Sequence, residues 1–212
     1  MLKRTENSRM SSPNEQAILA AALMQSRQTI LPKRLLAPGP DTEQLQQILE
    51  AAASAPDHGQ LLPWRFVVVP DAARARLAQV FADALLERDA SATQAQVAQA
   101  REKAYRSPLL MLVVVDGQCG NPDIDLSERI VSAGCAIQNV LLMATALGFG
   151  SALTSGKALK AQGLRALFSL TPGDHALCFI SVGTVLVARP ARLRPQMGDY
   201  VDTLQVAASN GN

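Results

Sequence analysis

Ala55-Pro56-Asp57-His58, followed by Pro63-Trp64-Arg65-Phe66-Val67-Val68-Val69, is the stretch on which the fold turns. A proline-stiffened turn carries one of the two histidines and leads to the only tryptophan, then enters an apolar run closed by Pro70. So little polar alternation predicts a buried strand over 65–69, not a half-exposed edge. Two readings of the turn stand side by side. Polar and aromatic groups at the mouth of a strand suit a binding site. Equally, the prolines could stiffen a helix-to-strand loop, with Trp64 plugging the core and His58 facing water.

Toward the N-terminus, Asp41 with Gln44 three residues later makes a capping-box pattern. It opens a helix with Leu45, Ile48, Leu49 and Ala52 on one face. Before it, a Pro-broken extended segment spans 32–40, and residues 14–26 have helical periodicity through Ile18, Leu19, Ala22 and Leu23. Residues 1–13 are expected to be a disordered tail.

Toward the C-terminus, a helix is predicted from Asp71 to about Glu87. After a polar break at 89–93, a Gln/Ala-rich helix runs to about Tyr105. This pair reads either as a mobile cover over a site or as a solvated hairpin. Ser107-Pro108 ends it, and Leu109 to Val115 is the second strand. Ser127 is the expected N-cap of the most apolar helix, closing at Gly148. Apolar residues surround that helix, so it should be buried on all sides, partly against a twin, with Ala133, Gly134 and Ala136 allowing close approach. Residues 150–156 form a short strand or loop, 158–168 a helix, 171–174 a turn and 176–185 a strand. Residues 14–195 make one domain and 196–212 an extended arm. Helices first, then strands separated by long helices, indicate an α+β layout.

The composition narrows the function. The chain has 212 residues, 48% hydrophobic, with a formal net charge of +2. That suits one globular domain with a real core. Nucleic acid would need a basic stripe, which the sequence lacks. Cys119, Cys135 and Cys178 are odd in number and widely spaced, so neither a disulfide framework nor a zinc site is expected, and a reducing cytoplasm fits. No apolar secretory core is visible near Met1, and the strongest unbroken apolar run, 109–115, is far short of the ~20 residues a membrane helix needs. The reading is a soluble protein that binds neither membrane nor nucleic acid.

Several chemistries fail on spacing. Gly150 to Ala158 resembles a phosphate loop but has one residue too many between its glycines and no hydroxyl after Lys157. Gly148-Phe149-Gly150 follows a helix, not a strand, so it is not a dinucleotide fingerprint. No Gly-x-Ser-x-Gly occurs, and His58 and His175 are the only imidazoles available to a hydrolase triad. Asp123 and Asp125 read as solvated loop carboxylates and His175 as a surface residue. Arg27 and Thr29, just past a helix end, pair a guanidinium with a hydroxyl in a way that suits a phosphate. Arg27 would equally favour the helix dipole from the surface.

The ordered set of these pieces resembles the FMN-dependent nitroreductase family, in its short bacterial branch. The set comprises Arg27-Gln28-Thr29, Ala55-Pro56-Asp57-His58, Pro63-Trp64-Arg65-Phe66, Ser132-Ala133-Gly134-Cys135-Ala136, Leu147-Gly148-Phe149-Gly150, Thr154-Ser155-Gly156 and Ile180-Ser181-Val182-Gly183-Thr184. The resemblance spans residues 16–194. It implies a mixed or antiparallel sheet wrapped by helices in an intertwined homodimer, with FMN at the interface. It further implies ping-pong electron transfer from NADH or NADPH to a nitroaromatic, a quinone or a similar small acceptor. The alternative is a flavin-binding protein of the same fold without significant nitroreductase turnover.

The same resemblance assigns cofactor contacts. Arg27 and Thr29, with Gln28 between them, would hold the phosphate and ribityl chain. Ser54 and His58 would approach from the partner or a loop edge. Leu153, Thr154 and Ser155 would line the isoalloxazine, while Arg192 and Arg194 would reach the phosphate. The turn at 143–148 is the corresponding nicotinamide contact. No side chain is assigned a catalytic role and no metal is expected. Gln28 stands where an arginine is common, Ser54 where a longer basic side chain is common, and Leu153-Thr154 where relatives can carry Trp-Arg.

Overall fold

The computed structural model describes residues 12–187 and 193–205. Six α-helices and four strands occur among them: α1 (Pro13–Ser26), α2 (Thr42–Glu50), β1 (Trp64–Val68), α3 (Asp71–Arg88), α4 (Gln94–Glu102), β2 (Leu109–Asp116), α5 (Leu126–Ala146), β3 (Gly150–Thr154), α6 (Gln162–Leu167) and β4 (Asp174–Gly183). The fold is α+β, with one antiparallel sheet in the order β1-β2-β4-β3.

Central β2 reads Leu-Leu-Met-Leu-Val-Val-Val-Asp, and every residue before Asp116 is buried. A strand without polar alternation must be covered on both faces, and it is. Met111, Val113, Ile180 and Val182 pack toward Ile48 of α2 and Ala136, Val140 and Ala144 of α5. Leu110, Leu112, Val114 and Phe179 pack toward Leu77 and Ala78 of α3 and Leu164 of α6. Helix starts follow local hydrogen bonds. At α2, Asp41 Oδ1 accepts from Gln44 N at 2.8 Å while Gln44 Oε1 accepts from Asp41 N at 3.0 Å. The same reciprocal box joins Thr93 and Gln96 at α4.

Several expectations need correction. Pro13 lies inside α1, capped by Ser12, so the tail boundary at 13 falls within a helix. The N-cap of α5 is Asp125, not Ser127, and Asp125 N donates to Glu128 Oε1 at 3.4 Å. The predicted helix over 158–168 is a 3-10 turn, Lys157–Lys160, followed by α6. His175 belongs to β4, paired with Val115, although it is exposed.

The hairpin over 71–105 is not simply solvated. Arg74, 3% exposed, donates from Nε to Val69 O (3.1 Å), from Nη1 to Ala104 O (2.7 Å) and from Nη2 to Pro108 O (3.1 Å), tying α3 to both ends of the hairpin.

Helix α5 departs most from expectation. Its 21 residues are long and apolar enough to span a bilayer by length and composition, with a mean hydropathy of 1.3. It is not buried all round. Ala133, Ala136, Val140 and Ala144 face the sheet with no exposure, whereas Val131 is 66% exposed. Of the three small residues expected at a twin interface, Ala133 and Ala136 point into the protein's own core and Gly134 alone faces out. A β-carbon added at Gly134 would meet no atom within 4 Å.

The sheet is tied at its β1 and β4 ends by Arg65, whose Nη1 and Nη2 donate to Asp174 Oδ1 (2.7 Å) and Oδ2 (3.0 Å). Asp174 also accepts from Thr171 N and Oγ1, closing the turn into β4. The Arg65 hydrogen bonds, foremost, hold this carboxyl down at about 2, below its ordinary 3.8. A depressed carboxyl stabilises the fold above its unfolded pKa, and that contribution is lost as pH falls through the folded value. Between about pH 4 and pH 2 the protein should therefore lose stability through this group. Solvent at the half-exposed Arg65 reduces the effect to about 1–2 kcal/mol. Urea unfolding across that window checks it, because Asp174→Asn should lack this component of the slope.

Candidate functional site

At the end of α1, Arg27 occupies the C-cap, its amide donating to Leu23 O at 3.2 Å. Two residues on, Thr29 bridges Ser151 in parallel, and Ile30 N donates to Ser151 O at 2.9 Å. The chain leaving α1 is thereby laid along the edge of β3, the terminal strand of the sheet. Arg194 arrives from the C-terminal segment and donates through Nη2 to Arg27 O (2.9 Å) and Gln25 O (3.4 Å). Carbonyls at a helix C-terminus favour a cation there.

Two guanidiniums therefore gather at one helix end. Burial first, and the Arg194 charge second, push the Arg27 guanidinium below its ordinary pKa. Among the described residues neither arginine has a carboxylate partner. Cations that their own protein leaves uncompensated suit an external anion, and the guanidinium fork matches a phosphate. Gln28 is half-buried beside them and Thr29 is exposed. Leu153, Thr154 and Ser155 lie at the far end of β3, about 10 Å farther along the strand. Leu153 and Ser155 are exposed and Thr154 half-buried.

Ser54 and His58 lie elsewhere. Ser54 closes the 3-10 turn Ala51–Ser54, and His58 opens the turn His58–Gln60. His58 Nδ1 sits 2.7 Å from Glu128 Oε2 in the first turn of α5. That hydrogen bond, above other causes, holds the Glu128 carboxyl below its ordinary value. Helix α5 spans about 30 Å, and β3, which Thr29 flanks, begins only after that helix has ended. One chain therefore does not bring Ser54 and His58 to Arg27 and Thr29. Arg192 lies outside the described residues.

Trp64 is a core residue. Its Nε1 donates to buried Ser132 Oγ at 3.0 Å, and its ring meets Phe66 edge-on with centroids 5.7 Å apart. Met143 and Leu147, expected near a nicotinamide, pack against the α5 side of the core. Asp125 caps α5, and no cluster of three or more metal-ligating side chains occurs among the described residues.

A cavity of about 620 Å³ opens between α3–α4 and the segment after β3. Thr154 and Ser155 line it, whereas Arg27, Gln28, Thr29, Ser54, His58 and Leu153 do not. Arg88, Lys103, Arg106 and Lys157 line it as well. None of these four stands out in the sequence as a site residue, Lys157 having figured only in the rejected phosphate loop. Two of them, Arg88 and Lys103, fall in the segment 71–105, and the scattered spacing of the four gives no motif to notice.

A sequence model of the Nitroreductase family matches residues 24–184, which takes in α1's end, the whole sheet and α5. The chain belongs to the nitroreductase family. It is 34% identical over 152 residues to a Haemophilus influenzae protein provisionally named an NAD(P)H nitroreductase, covering 72% of this chain and 82% of that one. It is 33% identical to Escherichia coli K12 YdjA, which carries the same provisional name, over 71% of this chain and 81% of that one. Among solved structures, a nitroreductase-like protein from Bacillus cereus superposes with a TM-score of 0.75 at 16% identity, covering 95% of this chain and all of that one. A nitroreductase from Desulfitobacterium hafniense, solved with bound FMN, gives a TM-score of 0.62 at 18% identity over 87% and 97% of the two chains. These likenesses agree with the nitroreductase fold inferred from the ordered motifs.

Proposed function

We propose that this nitroreductase-family chain is an FMN-dependent NAD(P)H oxidoreductase that works as a homodimer. Electrons would pass in ping-pong order from NADH or NADPH to a nitroaromatic, a quinone or a similar small acceptor. The observation that carries the reading is the uncompensated Arg27–Arg194 pair at the start of β3, with Leu153–Ser155 about 10 Å along the same strand. An anionic tail and a flat ring joined by a ribityl chain fit that separation. The donor set therefore fits FMN.

In this reading Arg27 and Arg194 bind the phosphate, and Thr29 offers its hydroxyl to the same group or to the ribityl chain. The polypeptide at 153–155 fixes the ring, with backbone groups available as fixed dipoles. When bound, FMN supplies the hydride chemistry, accepting from NAD(P)H and giving to the acceptor. The chain then needs no acid–base pair of its own, and none is assigned.

The dimer is supported by what one chain leaves uncovered. Helix α1 buries no residue, and its Ile18 and Leu19 are 60% and 65% exposed. A 14-residue helix is marginal in water without packing. Val131, Gly134 and Gln138 form an exposed stripe on α5 at helical spacing. Packing two copies of α5 antiparallel would bring the partner's start of that helix, with Ser54 and His58, toward this chain's Thr29. Each flavin site would then draw on both chains. Localisation in the cytoplasm goes with this reading. Val131→Arg places a charge in the stripe and should shift sedimentation from dimer to monomer at micromolar protein. An unchanged dimer would remove α5 from the interface.

Purification tests the activity. A yellow protein whose flavin absorbance bleaches anaerobically on NADH or NADPH supports the reading. A yellow protein that neither nicotinamide bleaches supports the turnover-free alternative. A colourless protein that also refuses added FMN defeats both.

A further inference from the structure

Glu128 does two things at the start of α5. Its Oε1 accepts from Asp125 N in the capping box, and its Oε2 lies 2.7 Å from His58 Nδ1. The His58 hydrogen bond, foremost, depresses the Glu128 carboxyl and so keeps it ionised. An ionised carboxylate can only accept, so Nδ1 carries the proton between them. A neutral imidazole fixed in this way is left with a lone pair on Nε2. Among the described residues Nε2 has no partner, and the side chain is 69% exposed.

The turn behind the imidazole is strained and clamped. Gly59 (φ +70°), Gln60 (φ +53°) and Leu62 (φ +48°) all lie in the left-handed region, uncommon for residues with side chains. Such strain persists only where the surroundings enforce it, and it clusters at functional sites. Here Leu62 N donates to Asp57 Oδ2 at 2.6 Å, and Leu61 lies so close to Gly120 that a β-carbon there would collide with it. The core gains nothing from clamping an exposed histidine. What the clamp provides is a fixed direction for one ring nitrogen.

The neighbouring charges narrow what Nε2 can accept from. Glu128 on one side and Asp57 next in the chain oppose a phosphate, and the proposed function already gives that group to Arg27 and Arg194. A lone pair repels an anion as well. Of the parts of FMN, the ribityl chain is the one that offers neutral O–H donors.

We propose that Glu128 is a positioning residue: it fixes His58 as the Nδ1–H tautomer, so that Nε2 accepts a hydrogen bond from a ribityl hydroxyl of the flavin held by the partner chain. The hydroxyl contact rests on the FMN reading. The tautomer does not.

NMR of the nitrogen-labelled full-length protein at about pH 8, above the ordinary histidine range, reads the tautomer directly. The chain has only two histidines, so a His58→Ala spectrum assigns the signals. Wild type should show His58 as Nδ1–H, and Glu128→Ala should raise the Nε2–H fraction. Flavin titrations give the second reading. In Glu128→Ala and in His58→Ala, riboflavin and FMN should each bind about tenfold more weakly. Lumiflavin, which lacks the ribityl chain, should bind as it does to wild type. The double variant should bind riboflavin no more weakly than His58→Ala alone, because Glu128 acts through the imidazole. Should Glu128→Ala fail to fold through its lost cap, the wild-type tautomer and His58→Ala decide alone. A wild-type His58 that is Nε2–H or doubly protonated at that pH overturns the proposal. So does a loss confined to FMN, which would give the imidazole to the phosphate, or an equal loss with all three flavins, which would make the contact merely structural. A wild type that takes up none of the three defeats the FMN reading and the hydroxyl contact together. One that takes up FMN but fails these comparisons defeats this inference alone.

Discussion

Arg129→Leu should cost the fold about 3–5 kcal/mol, the largest single loss expected in this protein. Arg129 is 1% exposed, and each nitrogen of its guanidinium donates a hydrogen bond. Nε donates to Ile124 O (3.0 Å), Nη1 to Cys119 O (2.6 Å) and Nη2 to Asn121 O (2.8 Å). Three carbonyls of the loop before α5 thus converge on one side chain from the first turn of that helix. Leucine fills much of the volume but leaves those acceptors without their donor, at about 1–3 kcal/mol for each one that water cannot reach. Arg129→Lys should recover only part of the loss, since one ammonium cannot reproduce a planar fork. Denaturant midpoints for the two variants check both statements. A midpoint for Arg129→Leu within about 1 kcal/mol of wild type would mean that the loop re-forms its hydrogen bonds with water.

Arg27→Ala should weaken FMN binding by about 1.5–3 kcal/mol, the worth of a charged hydrogen bond to phosphate. Riboflavin, which lacks the phosphate, should bind wild type and variant alike. Titration of flavin fluorescence measures both. Equal FMN affinity in the two proteins would place the phosphate elsewhere. The fold itself should be little affected, because among the described residues the Arg27 side chain has no ion pair and its structural role is the backbone C-cap.

Much of the fold was legible in the residues because short-range rules settled it. Asp41 and Gln44 announced α2 through reciprocal hydrogen bonds, and the unbroken apolar run over 109–115 announced strand β2. The run over 65–69, expected to be a buried strand, is instead the edge strand β1 with Arg65 and Val68 exposed, because nothing in the run itself says whether a second neighbour will cover it. Where the outcome depended on a distant partner, the residues misled. Trp64 read equally well as a site residue or a core plug, and it is the second, held by Ser132, 68 positions away. The helical content of 158–168 was overread because local propensity says nothing of the break at Ala161, where the 3-10 turn ends and α6 starts. Helix α5 looked apolar all round because periodicity cannot distinguish a face turned to the chain's own sheet from one turned outward. Arg27 and Arg194 were readable as a pair only through family likeness, since 167 residues separate them. The cationic cavity left no mark in the sequence, because its charges come from the end of α3, the segment between α4 and β2, and the 3-10 turn after β3.

The first helix has a consequence of its own. None of its residues is fully buried in its own chain, yet its C-cap carries the guanidinium assigned to the phosphate. In the proposed dimer its order would come from the neighbouring copy, and dilution should fray it before the sheet loosens. Amide exchange over 13–26 should accelerate as protein concentration falls, with flavin escaping in step. Affinity for the coenzyme would then be a property of the pair, set by how often two chains meet.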